Sequence, residues 1–216
     1  MSVPEPCLVL DGSARAGVRV GVLSGGRWVG QGISSDGALE GLFGCVEAAL
    51  AEAKLSLADV RSFALCAGPG SVLGIRIAAL AVRAWSALEP RPIFVWESLA
   101  GLARSALVAG ERGPFLVAVE SRLKRWHALE VSADGALGVP FEAEAAQLNS
   151  AGCRVLTSSA AAVPVLQAHV AVPHPWSALP ASFAQVGFLR AEPRPDALNI
   201  AQDFATWSGK RHQAGS

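Results

Sequence analysis

Apolar and polar positions along this 216-residue chain fall into short blocks whose period changes repeatedly. Cys7-Leu8-Val9-Leu10-Asp11 is an apolar run ending in an acid and predicts a buried strand. From Gly17 to Leu23, Val18, Val20 and Val22 alternate with smaller or polar residues, which predicts a second. Ser24-Gly25-Gly26 is a hairpin turn signal, and Arg27 to Ile33 is a third strand. Ser35 or Asp36 is placed to cap a helix whose apolar face is Leu39, Leu42, Phe43, Val46, Leu50 and Ala53. Ser56 and Asp59 have capping-box spacing for a short helical turn. Arg61 to Cys66 predicts a fourth strand. After it, Gly68-Pro69-Gly70-Ser71 predicts a tight corner, with Ser71 as cap of a helix from Val72 to about Leu88. A fifth strand at Pro92 to Trp96 and a helix from Ser98 to about Ala109 complete the first half.

The second half repeats the order. Strands are expected at Phe115 to Glu120, Lys124 to Val131 and Ala136 to Phe141, with Ala133-Asp134-Gly135 as a turn. A short helix at Glu142 to Asn149, a strand at Gly152 to Leu156, and helices at Ser158 to Gln167 and Pro180 to Arg190 follow. A βββαβα order given twice predicts an α/β class with helices packed on sheets. The expected division is 1–110 for a first subdomain, 111–195 for a smaller second one, and 196–216 for a C-terminal segment with a frayed end. The boundary sits where Gly110, Gly113 and Pro114 break the pattern.

Composition shifts this picture toward the apolar side: 51% of residues are hydrophobic and 17% charged. Part of that excess is expected to be covered by a partner. Eighteen basic residues balance eighteen acidic ones, so no global field draws the chain to nucleic acid. Cys7, Cys45, Cys66 and Cys153 lie far apart without C-x-x-C spacing, which favours a reduced compartment. No apolar run reaches membrane-spanning length, since Arg76 and Arg83 interrupt the longest, and Met1 to Pro6 do not read as a signal peptide. A cytoplasmic protein without membrane contact is expected.

Candidate chemistry is sparse. Asp11 and Glu120 close the first strand of each half and have the placement to hold a Mg²⁺-nucleotide between two lobes. The plainer reading is that each acid binds local backbone N–H groups in its turn. The glycine corner before Ser71 reads either as an anion site or, preferably, as a compact strand-to-helix turn. His169 and His174 flank prolines, so a helical metal pair there is not expected. Spacing singles out no Cys–His or Ser–His nucleophile pair. The helix Val72 to Leu88 is apolar nearly all round, with Arg76 and Arg83 as its one charged line. It is sandwiched in a core or packed on another chain.

Gly68-Pro69-Gly70-Ser71-Val72-Leu73-Gly74-Ile75-Arg76-Ile77 resembles the G-P-G-S-F-T-G-[LIV]-R-[IV]-G signature of the TsaB (YeaZ) family. Leu8-Val9-Leu10-Asp11-Gly12-Ser13 resembles the family's L-A-L-D-T-S opening, with Gly12 in the place of Thr. Leu55 to Val60 and Ala118 to Arg122 also fall at family positions, so the likeness spans about residues 7 to 130 and is faint beyond. It implies an actin-like ATPase fold (ASKHA, ribonuclease H-like) of two related subdomains.

The resemblance also implies a non-catalytic role. TsaB-like proteins pair with TsaD, the subunit that transfers the threonylcarbamoyl group to tRNA adenosine, and the ATPase TsaE joins them. TsaD-like relatives carry an H-x-x-x-H metal pair whose places fall here on Ser98 and Leu102; leucine cannot ligate a metal. No metal or cofactor is therefore expected, Asp11 and Glu120 being the only weak candidates. The family's pairing surface maps to Leu39, Leu42, Phe43, Val46, Leu50, Val72, Leu73, Ile75, Arg76, Ala79, Leu80, Val82 and Arg83. Gly68, Pro69, Gly70, Ser71 and Gly74 form the structural turn. Expected partners are a TsaD-like protein, a TsaE-like ATPase, tRNA through the complex only, and a second copy when the chain is alone. The alternatives are an active ATPase or kinase using Asp11 and Glu120 with Mg-ATP, a peptidase, and direct tRNA binding.

Overall fold

The apolar runs become the strands at the centre of a computed structural model that describes residues 3–14, 17–121, 125–158, 166, 169–172, 174–197 and 205–206. Strands β1 (Cys7–Asp11) and β4 (Ser62–Gly68) are buried along their whole length. β1 pairs antiparallel with β2 (Val18–Ser24), which pairs antiparallel with β3 (Arg27–Ser34). On its other side β1 runs parallel to β4, and β4 parallel to β5 (Ile93–Glu97). Helices α1 (Ala38–Ala53) and α2 (Val72–Leu88) lie on one face of this sheet. The period of two sorts β1 cleanly: Leu8 and Leu10 pack under the helices, while Cys7 and Val9 face the opposite side.

The second half builds a matching sheet. β6 (Phe115–Glu120) pairs antiparallel with β7 (Arg125–Val131), and β7 with β8 (Phe141–Glu144). β9 (Arg154–Thr157) runs parallel to β6, and β10 (His169–Ala171) parallel to β9. The order β5-β4-β1-β2-β3 in one sheet is thus repeated as β10-β9-β6-β7-β8 in the other. The strand part of the doubled βββαβα order read from the sequence is a doubled topology, and the helix expected after β9 lies almost wholly outside the described residues.

In space, the two halves exchange elements. Helix α3 (Ser98–Val108) leaves the first sheet and lays Leu99, Leu102, Ala103 and Ala106 on Phe115, Val117 and Leu129 of the second. In return, the turn Pro175–Ala178, helix α5 (Leu179–Phe183) and strand β11 (Arg190–Ala191) come back to the first lobe. Trp176, Leu179 and Phe183 cover Cys7, Val9, Ala64 and Cys66, and β11 extends the sheet beside β5. Trp28 stacks on Trp176 at 4.7 Å, and the two indole N–H groups donate to the Trp176 carbonyl and to Gln31.

Several local expectations are corrected. The predicted helix Pro180 to Arg190 is shorter, because Pro180 lies in the first turn of α5 and Arg190 pairs with Val95. The third strand of the second meander is Phe141–Glu144, not Ala136 to Phe141; Leu137 keeps only a bridge to Val131. The following helix, α4 (Ala145–Asn149), starts later than Glu142 because Glu142 to Glu144 are taken by that strand. Neither Ser35 nor Asp36 caps α1; Gly37 does so without a side-chain bond, while the Asp36 N–H is held by Ser34 Oγ. The Ser56–Asp59 capping box forms, and Ser71 Oγ accepts the Gly74 N–H as expected. Most of the predicted helix Ser158 to Gln167, and the tail from Gly209, lie outside the described residues. A last strand, β12 (Ala205–Thr206), runs parallel to β8.

Close backbone contacts set how the helices sit. A Cβ on Gly30 would lie 2.1 Å from the Ala49 carbonyl oxygen, and one on Gly32 2.1 Å from that of Cys45. Helix α1 therefore rests directly on the β3 backbone. Gly12 and Gly74 meet in the same way: a Cβ on either would fall within 2.5 Å of the other's carbonyl oxygen.

Candidate functional site

A cleft of about 540 Å³ lies between the lobes, at the ends of β1, β6 and β9. Asp11, Ser13, Arg19, Glu120, Thr157, Ser158 and His174 bring polar groups to it, and Trp96, Leu102 and Val119 form apolar wall. Asp11 and Glu120, singled out at equivalent strand ends, do line one space. Arg19 stands directly opposite Asp11 in the β1–β2 register.

Asp11 is 3% exposed. Its Oδ1 accepts the backbone N–H of Ser13 at 2.9 Å and the Ser13 hydroxyl at 2.6 Å, the local turn capping expected of an acid before Gly-Ser. Its Oδ2 faces Nε2 of His174 at 3.7 Å. Nδ1 of His174 accepts the backbone N–H of Trp176 at 3.3 Å, so the neutral ring carries its proton on Nε2, toward Asp11.

Burial holds the His174 imidazole below its ordinary value of 6.5; the Asp11 carboxylate opposes this and the Arg19 guanidinium adds to it. Such a ring binds fewer protons folded than unfolded. Its stabilisation is whole above the unfolded value and is lost as pH falls through about 6.5 toward the lower folded value. His127, buried in β7, is shifted the same way by burial, with Glu142 opposing and Arg125 adding. We expect unfolding free energy to fall between about pH 7 and pH 5, and to fall less in His174→Gln. Urea melts at the two ends of that range check it; an unchanged slope in the variant would contradict the assignment.

The glycine corner is a structural turn. The Ser71 N–H is taken by the Ser13 carbonyl at 2.7 Å, and that of Gly74 by Ser71 Oγ at 3.3 Å. A Cβ on Gly70 would lie 2.2 Å from the Ser13 carbonyl oxygen. The corner thus packs against the chain's own backbone at Ser13, and Ser71 caps α2. Ser98, one of the two places of the metal-ligating pair in the TsaD resemblance, donates its hydroxyl to the Pro69 carbonyl at 2.6 Å; Leu102, the other, is buried. The thiols are no better placed for nucleophilic work. Burial, then the Asp11 charge, raises Cys66 well above its ordinary value, and burial lifts Cys7 to about 12.

The second candidate region is the outer surface of α1 and α2. Of its predicted pairing residues, Leu42, Val46, Leu50, Ile75, Ala79 and Val82 belong to the protein's own core instead. They face the sheet because their spacing matches its side of each helix. Leu39, Phe43, Leu73 and Leu80 point outward at 65, 54, 64 and 59% exposure, with Arg76 and Arg83 beside them and Val72 half-buried. Leu88, not singled out from the sequence, is 86% exposed at the end of α2. Phe43 meets Trp85 edge-on at 6.4 Å, which ties the two helices into one surface.

Known structures share this fold. YeaZ from Pseudomonas aeruginosa superposes with a TM-score of 0.64 at 22% identity, covering 81% of this chain and 86% of that one. An uncharacterised protein with similarity to peptidase YeaZ from Pseudomonas aeruginosa gives a TM-score of 0.66 at 20% identity, covering 96% and 99%. The fold is that of YeaZ. Residues 33–130 match the TsaD family, tRNA N6-adenosine threonylcarbamoyltransferase. The transferase of that name from Chelativorans sp. (strain BNC1) is 34% identical over 118 residues, 48% of this chain and 32% of that protein. The chain thus spans about a third of the length of this curated relative. The chain thus combines the two-sheet α/β fold of YeaZ with a sequence match over residues 33–130 to the TsaD family.

Three residues of the cleft carry no sequence signal that would have placed them there. Thr157 ends a four-residue strand, Ser158 follows it, and His174 reaches Asp11 only because the chain returns to the first lobe. Its proline neighbours were the one visible hint of a fixed position. His169, five residues earlier, lies in β10. No helix among the described residues is long and apolar enough to cross a membrane.

Proposed function

We propose that the chain is a non-catalytic partner subunit that binds a TsaD-like protein, with a TsaE-like ATPase, in forming N6-threonylcarbamoyladenosine on tRNA. The observation that carries this reading is the exposed apolar row Leu39, Phe43, Leu73, Leu80 and Leu88 on a YeaZ-type fold. Large exposed apolar side chains of this kind on two packed helices are what a pairing surface needs. The same face serves a second copy when the chain is alone, as an isologous helix-on-helix pairing. Ser98 and Leu102 at the metal-ligating places support the non-catalytic part.

The test is co-purification with the TsaD-like protein of the same organism. A complex at micromolar concentration is expected, and its formation should convert homodimer into mixed species on light scattering. No complex, or a strictly monomeric chain, would overturn the reading. A salt-dependent tRNA shift by this chain alone would overturn the expectation that tRNA is met through the complex.

A second reading, an ATPase or kinase, draws on Asp11 and Glu120 sharing one cleft. Calorimetry with ATP and Mg²⁺ separates the two: tight binding lost in Asp11→Ala would favour the enzyme.

A further inference from the structure

We propose that the inter-lobe cleft binds an uncharged, hydroxyl-bearing small molecule, a sugar or polyol, with one hydroxyl seated between Asp11 Oδ2 and His174 Nε2. The proposal is independent of pairing with a TsaD-like protein.

The argument starts from the gap. Oδ2 and Nε2 stand 3.7 Å apart, beyond hydrogen-bond reach, on two side chains that both line the cleft. One oxygen at about 2.8 Å from each spans that gap. The bridging atom must accept from Nε2–H and donate to a carboxylate. A hydroxyl does both on a single atom. An ammonium offers donors alone and would meet Nε2–H; a phosphate offers acceptors and would meet the carboxylate. Oδ1 is held by Ser13, so Asp11 is fixed in direction and keeps Oδ2 for the ligand. The His174 ring is held from behind by the Trp176 N–H. Both partners are pre-organised.

The rest of the cleft agrees with a neutral polar ligand. Its volume lies within the range of small-molecule sites. Thr157 and Ser158 add hydroxyls, and Trp96 supplies an aromatic wall. A polyphosphate is disfavoured twice over. Asp11 and Glu120 line the same space against one cation among the described residues, Arg19, and the N–H groups of Ser71 and Gly74 at the glycine corner are already bonded to Ser13 O and Ser71 Oγ.

Saturation-transfer NMR on the full chain, with ribose and glucose as probes beside ribose 5-phosphate and ATP–Mg²⁺, tests the proposal. At least one sugar is expected to saturate in the millimolar range, with ribose 5-phosphate weaker than ribose. Loss of one hydrogen bond to a charged group predicts about tenfold weakening or more in Asp11→Asn. Circular dichroism separates loss of the site from loss of fold, and His174→Gln carries the same expectation should Asp11→Asn not fold. No saturation by either sugar, which leaves the gap to a water only, would overturn the proposal. So would unchanged sugar binding in a folded Asp11→Asn, or ATP–Mg²⁺ binding that depends on Asp11.

Discussion

Val82→Glu is expected to unfold the protein, whereas Leu80→Glu on the same helix is expected to leave the fold intact and abolish pairing. Val82 is 0% exposed in the cluster that α2 shares with the first sheet. A carboxyl group there must shift its pKa by several units or remain ionised in apolar surroundings. That costs on the order of 5 kcal/mol, comparable with a whole domain's stability. Leu80 is 59% exposed, two helical turns along α2 from exposed Leu73. Its replacement places a charge at the centre of the proposed interface, where an unpaired buried carboxylate costs several kcal/mol on association. Circular dichroism melts read the first effect and light scattering with and without a TsaD-like protein reads the second. Retained pairing in a folded Leu80→Glu would remove this face from the proposal.

The double variant Gly30→Ala/Gly32→Ala should be almost as damaging, through sterics alone. Each new Cβ would sit 2.1 Å from a backbone carbonyl oxygen of α1, where no flexible side chain can yield. The helix must lift from β3. Overpacking of this kind costs about 1–3 kcal/mol per site. Lifting α1 also moves Leu39 and Phe43, so pairing should weaken together with stability. Gly44 is the internal control. It lies in α1 with nothing within 4 Å of a built Cβ, and Gly44→Ala should stabilise by up to about 1 kcal/mol. Melting temperatures of the two variants should therefore move in opposite directions; a double variant as stable as the parent would disprove the contact.

The first half of the chain was far more legible than the second. Its wholly buried strands β1 and β4 and the glycine turns after β2 and β4 make period and punctuation agree for most elements from Cys7 to Val108. In the second half the signals conflict. Ala136 to Phe141 alternates like a strand, yet the sheet takes Phe141 to Glu144, because pairing with Arg125 to Ala128 sets the register. Strands of two or three residues such as β10 and β11 have no periodicity to read; they exist because a neighbouring edge was free. Glycine pairs were visible as residues but not as contacts, since Gly12 and Gly74 are far apart in the chain.

The pairing face and the cleft were legible to different degrees. The near-uniform apolar character of α2 hid which residues face the sheet, and six of the thirteen predicted pairing positions, three on each helix, proved to be core. Asp11 and Glu120 were visible as equivalent strand ends. His174 was not, and neither were Thr157 and Ser158.

What the sequence alone determined is the set of elements in the first half, the doubled order of the two halves, the glycine corner with its Ser71 cap, and the resemblance that points to YeaZ. These are local properties: period, turn chemistry and a contiguous motif act within a few residues. What only the tertiary structure decided is the exchange of α3 and α5 between the lobes, the side of α2 left open, and the meeting of Asp11 with His174. Those depend on which surfaces remain uncovered once both sheets exist, and burial of the leftover apolar faces is a property of the whole chain.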